Sequence, residues 1–486
     1  MLPLVLLFIV IIVLYILHEK NPLRRLPPGP FPMPFIGNLH QLGKRPDNVV
    51  NKLYETYGNI FRIKMGSLET VIFTEPEILR EAFIENPDMF VNRHIKVSRL
   101  SWNNGQNIAT ANGEHHKIVR GVAMKGITST RIKKMEDDIV QEINLLCDYL
   151  ETYVKSGEPV DPISLIKMCS LNIIFRFSLS HHFPYDMDTD AGQFVNLINY
   201  AFVQSGVPMP CDYFPLLKPL LVKTPKFKEY LQINHKLGVF LKSLIEKRVP
   251  LFDSTAEPKD ILDTYLMELS KGTITMNGLI YSFQDLIIAG TDTTANTTSA
   301  LIKAMVNRPE MQEKLYNELS SNIQNQPSIQ DKSATPYTNA VIKETTRRFT
   351  VAPLGVPHAA NEDCEFRGYH IKKGTQIIQN IYGTMNTPVY WKNPLEFDPT
   401  RFLGVDGVAN SNVVKQAFGT GSRNCLGMSL AEHELYLMTT VILKRFKFTK
   451  QTDELLDEDM IFGMTSTPSH FKVIVHRRQE EPIVRA

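Results

Sequence analysis

Cys425 stands in the run Phe418-Gly-Thr-Gly-Ser-Arg-Asn-Cys-Leu-Gly427. Glycines at 419, 421 and 427 let this backbone turn tightly and bring its N–H groups close to the sulfur. Such N–H groups favour thiolate over thiol, and the thiolate is the form of cysteine that binds a metal. Arg423, two residues earlier, adds a fixed cation able to meet an anionic cofactor group. A buried structural cysteine beside a glycine turn would account for Cys425 alone. It does not account for Phe418, Gly421, Arg423, Cys425 and Gly427 in one fixed spacing.

A second constellation is Phe283-Gln-Asp-Leu-Ile-Ile-Ala-Gly-Thr-Asp-Thr-Thr294, inside a helical pattern that reaches about Asn307. Gly290 weakens a helix interior by about 1 kcal/mol relative to alanine. The hydroxyls of Thr291, Thr293 and Thr294 compete for backbone carbonyls, so a local distortion or kink is expected here. Ala289, Gly290 and Thr293 fall on one face by helical spacing, which leaves room for a diatomic ligand and a water. Taken alone, this stretch reads equally as a back-bonding threonine cluster in a buried helix.

The loop and the helix together resemble the cytochrome P450 family, and the likeness extends from about residue 27 to the C-terminus. The resemblance implies that the Cys425 thiolate is the axial ligand of the iron of haem b, pushing electron density toward it. Phe418, Gly419, Arg423 and Gly427 then belong to the cradle around the cofactor, with Ala289 and Gly290 on its opposite side. Asp292 and Thr293 match the acid and alcohol that deliver protons to bound oxygen; splitting O2 needs protons relayed into a dry site. Glu344 and Arg347, which alone would be a solvated i, i+3 pair, join Arg401 as the family's buried structural triad. His358, in Pro357-His358, and Arg120 match partners of the haem propionates. One departure stands out: His116 occupies the place, four residues before Arg120, where the family usually carries tryptophan.

These residues need elements to hold them. Ile60–Lys64 and Thr70–Thr74 read as a small β element, and Pro76 to Glu85 as a helix opened by proline. From Lys134 onward apolar residues recur at three- and four-residue spacing, with a few strands near the end such as Phe471–His476. The expected fold is therefore mainly α with small β-sheets, the cytochrome P450 fold behind an N-terminal transmembrane anchor. Residues 1–19 are the expected anchor, 20–38 a basic and proline-rich hinge, and 39–486 the haem-binding catalytic domain. The apolar run from Met1 to Leu17 is followed by Lys20, Arg24 and Arg25, which favours retention of the C-terminal side in the cytosol. It lacks the basic start and small-residue cleavage site of a signal peptide. Prolines at 27, 28, 30, 32 and 34 then impose a stiff extended spacer. Ser205 to Thr224, rich in proline and aromatics, matches a segment over the family's substrate channel.

With 53 basic and 51 acidic residues, the net charge of +2 makes no case for nucleic acid. The five cysteines, Cys147, Cys169, Cys211, Cys364 and Cys425, are scattered and odd in number, against a disulfide framework or zinc site. Asn296-Thr-Thr298 forms a glycosylation sequon that its helical setting makes a false positive. The resemblance implies a monooxygenase of the endoplasmic reticulum membrane, with a hydrophobic small molecule, O2, membrane lipid and NADPH-cytochrome P450 reductase as partners. No flavin or nicotinamide fingerprint occurs in the chain, so electrons come from outside. Two other haem-protein readings exist: an isomerase or dehydratase of oxidised lipid, and a non-catalytic carrier. The intact Asp292-Thr293 pair and cysteine loop speak against the first, and only His116 motivates the second.

Overall fold

The structure, a computed structural model, describes the chain apart from residues 1, 186–191, 193, 199, 202–208, 406 and 479–486. The expected channel segment Ser205 to Thr224 thus lies partly outside the described residues. Helices dominate, and the largest sheet has five short strands. Strands β1 (Ile60–Met65) and β2 (Leu68–Phe73) form an antiparallel hairpin across Gly66-Ser67. Gly66 takes a φ of +62°, as a tight hairpin with glycine in first place requires. Strands β3 (Asn92–Arg93), β4 (His358–Ala359) and β5 (Gln376–Gln379) complete the order β1-β2-β5-β4-β3. Pairing of β3 with β4 sets Arg93 opposite His358. A separate pair joins Phe446–Thr449 to Ile474–Arg477, a little beyond the expected Phe471–His476.

Helix α1 (Leu2–Glu19) leads the chain; α2 (Val97–Asn103), α3 (Gly113–Gly126), α4 (Pro162–Leu179), α5 (Met276–Asn307), α6 (Pro336–Arg348) and α7 (Met428–Arg445) follow it. α4 is buried along nearly its whole length, and α5 buries apolar and polar side chains alike, among them Asp292, Asn296 and Lys303. Among the described residues α4 alone is long and apolar enough to cross a bilayer, but its side chains are buried within the protein. The Thr275 hydroxyl caps α5 by accepting from the Gly278 N–H, and the helix then runs unbroken to Asn307. The expected distortion at Gly290 does not interrupt it. Thr291, Thr293 and Thr297 instead return their hydroxyls to the carbonyls four residues back, at 2.7, 2.8 and 2.8 Å. Asn296 is buried, so its sequon is inaccessible.

Apolar side chains of α1, among them Leu6, Ile9, Val10, Val13, Leu14 and Leu17, are exposed. The last residue of α1, Glu19, is not: its carboxylate is fully buried between Arg62 at 2.9 Å, Lys64 at 3.4 Å and Arg24 at 3.8 Å. The proline-rich segment that follows is no free spacer. Pro28 O accepts from Arg62 N–H at 2.8 Å, and Asn38 N–H donates to Lys64 O at 2.6 Å. Added side chains at Gly29 or Gly37 would meet the carbonyls of Arg62 or Lys64 at 2.1 Å. β1 is an edge strand with unpaired backbone groups, and the prolines' extended backbone covers that edge.

Candidate active site

The loop before α7 is closed by the Cys425 N–H, which donates to Phe418 O at 2.7 Å. Gly421 has a φ of +84°, and a side chain there would strike Phe83 O at 2.4 Å. Gly427 is different: a Cβ built on it has no neighbour within 4 Å. Cys425 is exposed although protein crowds in around it. A residue both accessible and enclosed opens on an interior cavity. Burial pushes the Cys425 thiol up, against the Gly427 N–H and the charge of Arg120. Burial is the larger influence, and the Gly427 N–H acts in the direction expected of it, toward the thiolate.

On α5, Ala289 is exposed and Thr293 partly so, whereas Ile287, Thr291 and Asp292 are buried. Exposed positions midway along a core helix also open on interior space. Gly290 does not share that face as expected. It abuts α4, where a Cβ would lie 3.0 Å from two carbons of Ile174, so its smallness serves helix packing. Asp292 also turns away from the open face. Its Oδ1 lies 2.7 Å from Lys167 Nζ of α4, and its Oδ2 accepts from Asn296 Nδ2 at 2.7 Å and from the Thr465 hydroxyl. Behind the same helix, Glu434 of α7 faces the hydroxyls of Ser170 and Thr294. Burial pushes its carboxyl up to about 8, so it holds its proton at neutral pH.

Three guanidinium groups converge on the cysteine loop. Arg93 donates to Val356 O and, at 3.0 Å, to Arg423 O. Arg423 donates to Val91 O at 3.0 Å and Ala111 O at 2.5 Å, and Arg120 to Asn424 O at 3.1 Å. Burial first, and then mutual repulsion, push Arg93 down to about 9 and Arg423 to about 10. Burial also lowers Arg120. None of the three has a carboxylate within ion-pair distance among the described residues, and Arg93 Nε is buried without a partner. A cofactor bearing anionic groups fits this cluster, and the room beside Gly427 and Cys425 fits a body the protein does not fill. Arg93 was expected only as the start of a pocket segment, Arg93–Ala111, and Lys167 escaped the sequence reading; neither stands in a motif, and each meets its partners only through tertiary packing.

His358 gives both ring nitrogens to protein, Nδ1 to Phe90 O at 2.7 Å and Nε2 to the Gln379 side chain at 3.2 Å. Both ring nitrogens of His358 therefore have protein partners. His116 is buried with Nε2 unpartnered, and burial with the three arginines pushes it down to about 3. An unfolded histidine titrates near 6.5. Below about pH 6.5 the unfolded chain therefore gains a proton that the folded chain refuses until about pH 3, and stability falls with pH over that interval. His116→Trp is expected to lose less of its urea midpoint than the parent between about pH 7 and pH 5, and to alter haem affinity. An unchanged acid slope with unchanged affinity would count against any role for this position.

Behind the loop, Glu344 takes Arg347 through two bonds, Nε to Oε2 at 2.7 Å and Nη2 to Oε1 at 2.8 Å. It also accepts from Asp398 N–H at 2.8 Å, and Arg401 Nε lies 3.5 Å from Oε1. The three expected triad members are thus assembled and buried or nearly so.

The profile of the cytochrome P450 family matches residues 27–475. Among similar proteins of Dictyostelium discoideum, "Probable cytochrome P450 513C1" is 35% identical, covering 98% of this chain and 99% of the relative. "Probable cytochrome P450 555A1" is 34% identical, with 93% and 95% covered. "Probable cytochrome P450 513D1" is also 34% identical, with 88% and 89% covered.

Proposed function

The chain belongs to the cytochrome P450 family, and from that premise we propose a membrane-anchored monooxygenase that oxidises a hydrophobic small molecule with electrons from a separate reductase. Family membership carries haem b bound through a cysteine thiolate and monooxygenase activity. Bound haem supplies the oxygen activation and insertion.

Cys425 is the proposed ligand, and the observation that carries the reading is its combination of enclosure and access within a loop of fixed glycines. Arg93, Arg120 and Arg423 are the proposed partners of the haem propionates, since an anion would relieve their mutual repulsion. Phe418, Gly419 and Gly427 shape the loop, and Ala289 keeps the opposite wall low. Asp292 is proposed to take part in proton delivery, its carboxylate fixed by Lys167, Asn296 and Thr465, with the partly exposed Thr293 Oγ1 as the hydroxyl that passes protons into the cavity. Asp292→Asn should keep haem content unchanged while product formation falls ~10²- to 10⁴-fold, the usual contribution of a general acid. Normal product yield per NADPH in that variant would remove Asp292 from the pathway.

Residues 1–19 are the proposed anchor, supported by the exposed apolar side chains of α1, and 39–486 the catalytic domain. Residues 20–38 are the proposed link between them, carrying the basic residues on the cytosolic side of an endoplasmic reticulum membrane. NADPH-cytochrome P450 reductase is the proposed electron donor. The deciding experiment supplies reductase, NADPH and O2 to the purified protein with candidate hydrophobic compounds. A product one oxygen atom heavier, formed with NADPH consumption, is expected. Conversion of a pre-oxidised lipid without O2 or reductase would favour an isomerase instead.

A further inference from the structure

A cavity of about 270 Å³ opens just beyond the end of α1, lined by Leu23, Arg24, Arg25, Leu26, His370 and Lys372. Two distant stretches of chain build it. The turn Pro22–Arg24 is capped by the Asn21 side chain, which accepts from Leu23 N–H at 3.0 Å. Arg25 follows with a φ of +45°, a left-handed backbone that costs a non-glycine residue energy. Its carbonyl accepts from His370 N–H at 2.8 Å, which fastens the turn to the hairpin of Cys364–Phe366 and Tyr369–Ile371. The strained residue is thus held where it and Lys372 border one space.

No acidic residue lines this cavity. Two carboxylates reach its cations from outside the lining, and both are shared. Glu365 Oε1 lies 2.7 Å from Arg25 Nη2 and 3.3 Å from His370 Nδ1. Glu19 lies 3.8 Å from Arg24 but closer to Arg62 and Lys64. Among the described residues Arg24 otherwise donates only from Nη1, to His18 O at 3.3 Å. Lys372 is exposed and has no ion pair among the described residues. The cavity therefore keeps an excess of positive charge. Apolar surface adjoins it. Leu23 lines the cavity while 86% exposed, and Val10, Leu14 and Leu17 form an exposed stripe on α1 at helical spacing. With 18 residues, α1 rises about 27 Å. That nearly matches a hydrocarbon core of about 30 Å, so with α1 in a bilayer residues 20–26 fall at the depth of the lipid headgroups.

We infer that this cavity is the headgroup site of an anionic phospholipid, with the phosphate held among Arg24, Arg25 and Lys372 and the acyl chains lying along α1. This rests on the reading of α1 as a membrane anchor. A soluble phosphate would meet the same cations but leave Leu23 and the α1 stripe in water, whereas a lipid satisfies both surfaces at once.

The test reconstitutes the haem-loaded full chain in phosphatidylcholine vesicles carrying a trace of spin-labelled phosphatidylserine or spin-labelled phosphatidylcholine, and reads the motionally restricted fraction of each. Phosphatidylserine is expected to associate roughly five- to thirtyfold more strongly, the contribution of one to two basic residues at a membrane surface. In Arg24→Gln/Lys372→Gln that preference should disappear, with the haem spectrum unchanged. Lys20→Gln/Lys373→Gln removes as much charge from positions outside the lining, and should keep the preference. Equal loss there means diffuse surface charge and overturns the site. If the first variant loses its haem spectrum, Arg24→Lys/Lys372→Arg decides: retained preference upholds the site, and lost preference overturns it. Displacement of the labelled phosphatidylserine by millimolar inorganic phosphate overturns the lipid as occupant. A chain that floats with these vesicles but shows no preference removes the site alone, and a chain that floats with none removes the anchor and the site together.

Discussion

Cys425→Ala is expected to yield a chain without the reduced carbon-monoxide band of thiolate ligation and without oxygenase activity, whereas alanine at Cys147, Cys169, Cys211 or Cys364 should leave both in place. The five thiols differ in surroundings rather than in chemistry. Cys147 and Cys169 are buried within the helical core, where desolvation pushes the first up to about 12 and the second well above its ordinary value. Cys211 is buried and Cys364 half-buried, each raised by burial, with acidic neighbours adding to it. Cys425 differs in being accessible, with the Gly427 N–H and Arg120 opposing burial. A metal centre needs an approach path as well as a donor, and the other buried thiols lack one. Retention of a thiolate-type spectrum by Cys425→Ala would overturn the assignment. A Cys425→Ser variant that kept haem content but lost the band would show that the pocket, not the sulfur, retains the cofactor.

Glu344→Ala is expected to remove about 3–5 kcal/mol of stability, the range for stranding one member of a buried ion pair. Arg347 is wholly enclosed, and its other contacts are the carbonyls of Met385 at 2.7 Å and Glu396 at 3.2 Å and the Trp391 ring. Without Glu344 its charge has no counterion among the described residues. Arg401→Ala should cost much less. Its Nε makes no hydrogen bond, and its bonds run outward to Lys392 O and to Asn393 O at 2.9 Å. Urea titration of these two variants checks the ranking, and Glu344→Ala/Arg347→Ala should lose less than the sum of Glu344→Ala and Arg347→Ala, because the pair acts as a unit. Equal losses for Glu344→Ala and Arg401→Ala would mean that the carboxylate has no special place in the network.

Much of this site was legible in the sequence because it is built locally. Gly421 needs a left-handed backbone beside Phe83, and such demands write themselves as glycine. The end of α5 at Asn307 followed from its period. Glu344 and Arg347 share one helix turn, so only their burial awaited the fold. What stayed hidden depends on which way a helix faces. Helical spacing groups Gly290 with Ala289 and Thr293, but Ile174 on α4 decides that Gly290 packs inward. Likewise Asp292 was recognisable, while Lys167 on another helix was not. Prolines 27 to 34 signalled an extended chain, yet nothing local reveals that an edge strand would take it up.

A chain on a flexible tether tumbles, and most of its collisions present the wrong side. Glu19 removes that freedom here, since its buried carboxylate fastens the end of α1 to Arg62 and Lys64 of β1 with no free joint between them. With α1 lying in a bilayer as proposed, its tilt is inherited by the sheet, and one fixed hemisphere of the protein meets the lipid while the other meets the cytosol. A diffusing redox partner then searches two dimensions and one azimuth rather than all orientations, so encounter rates depend on a carboxylate remote from the chemistry.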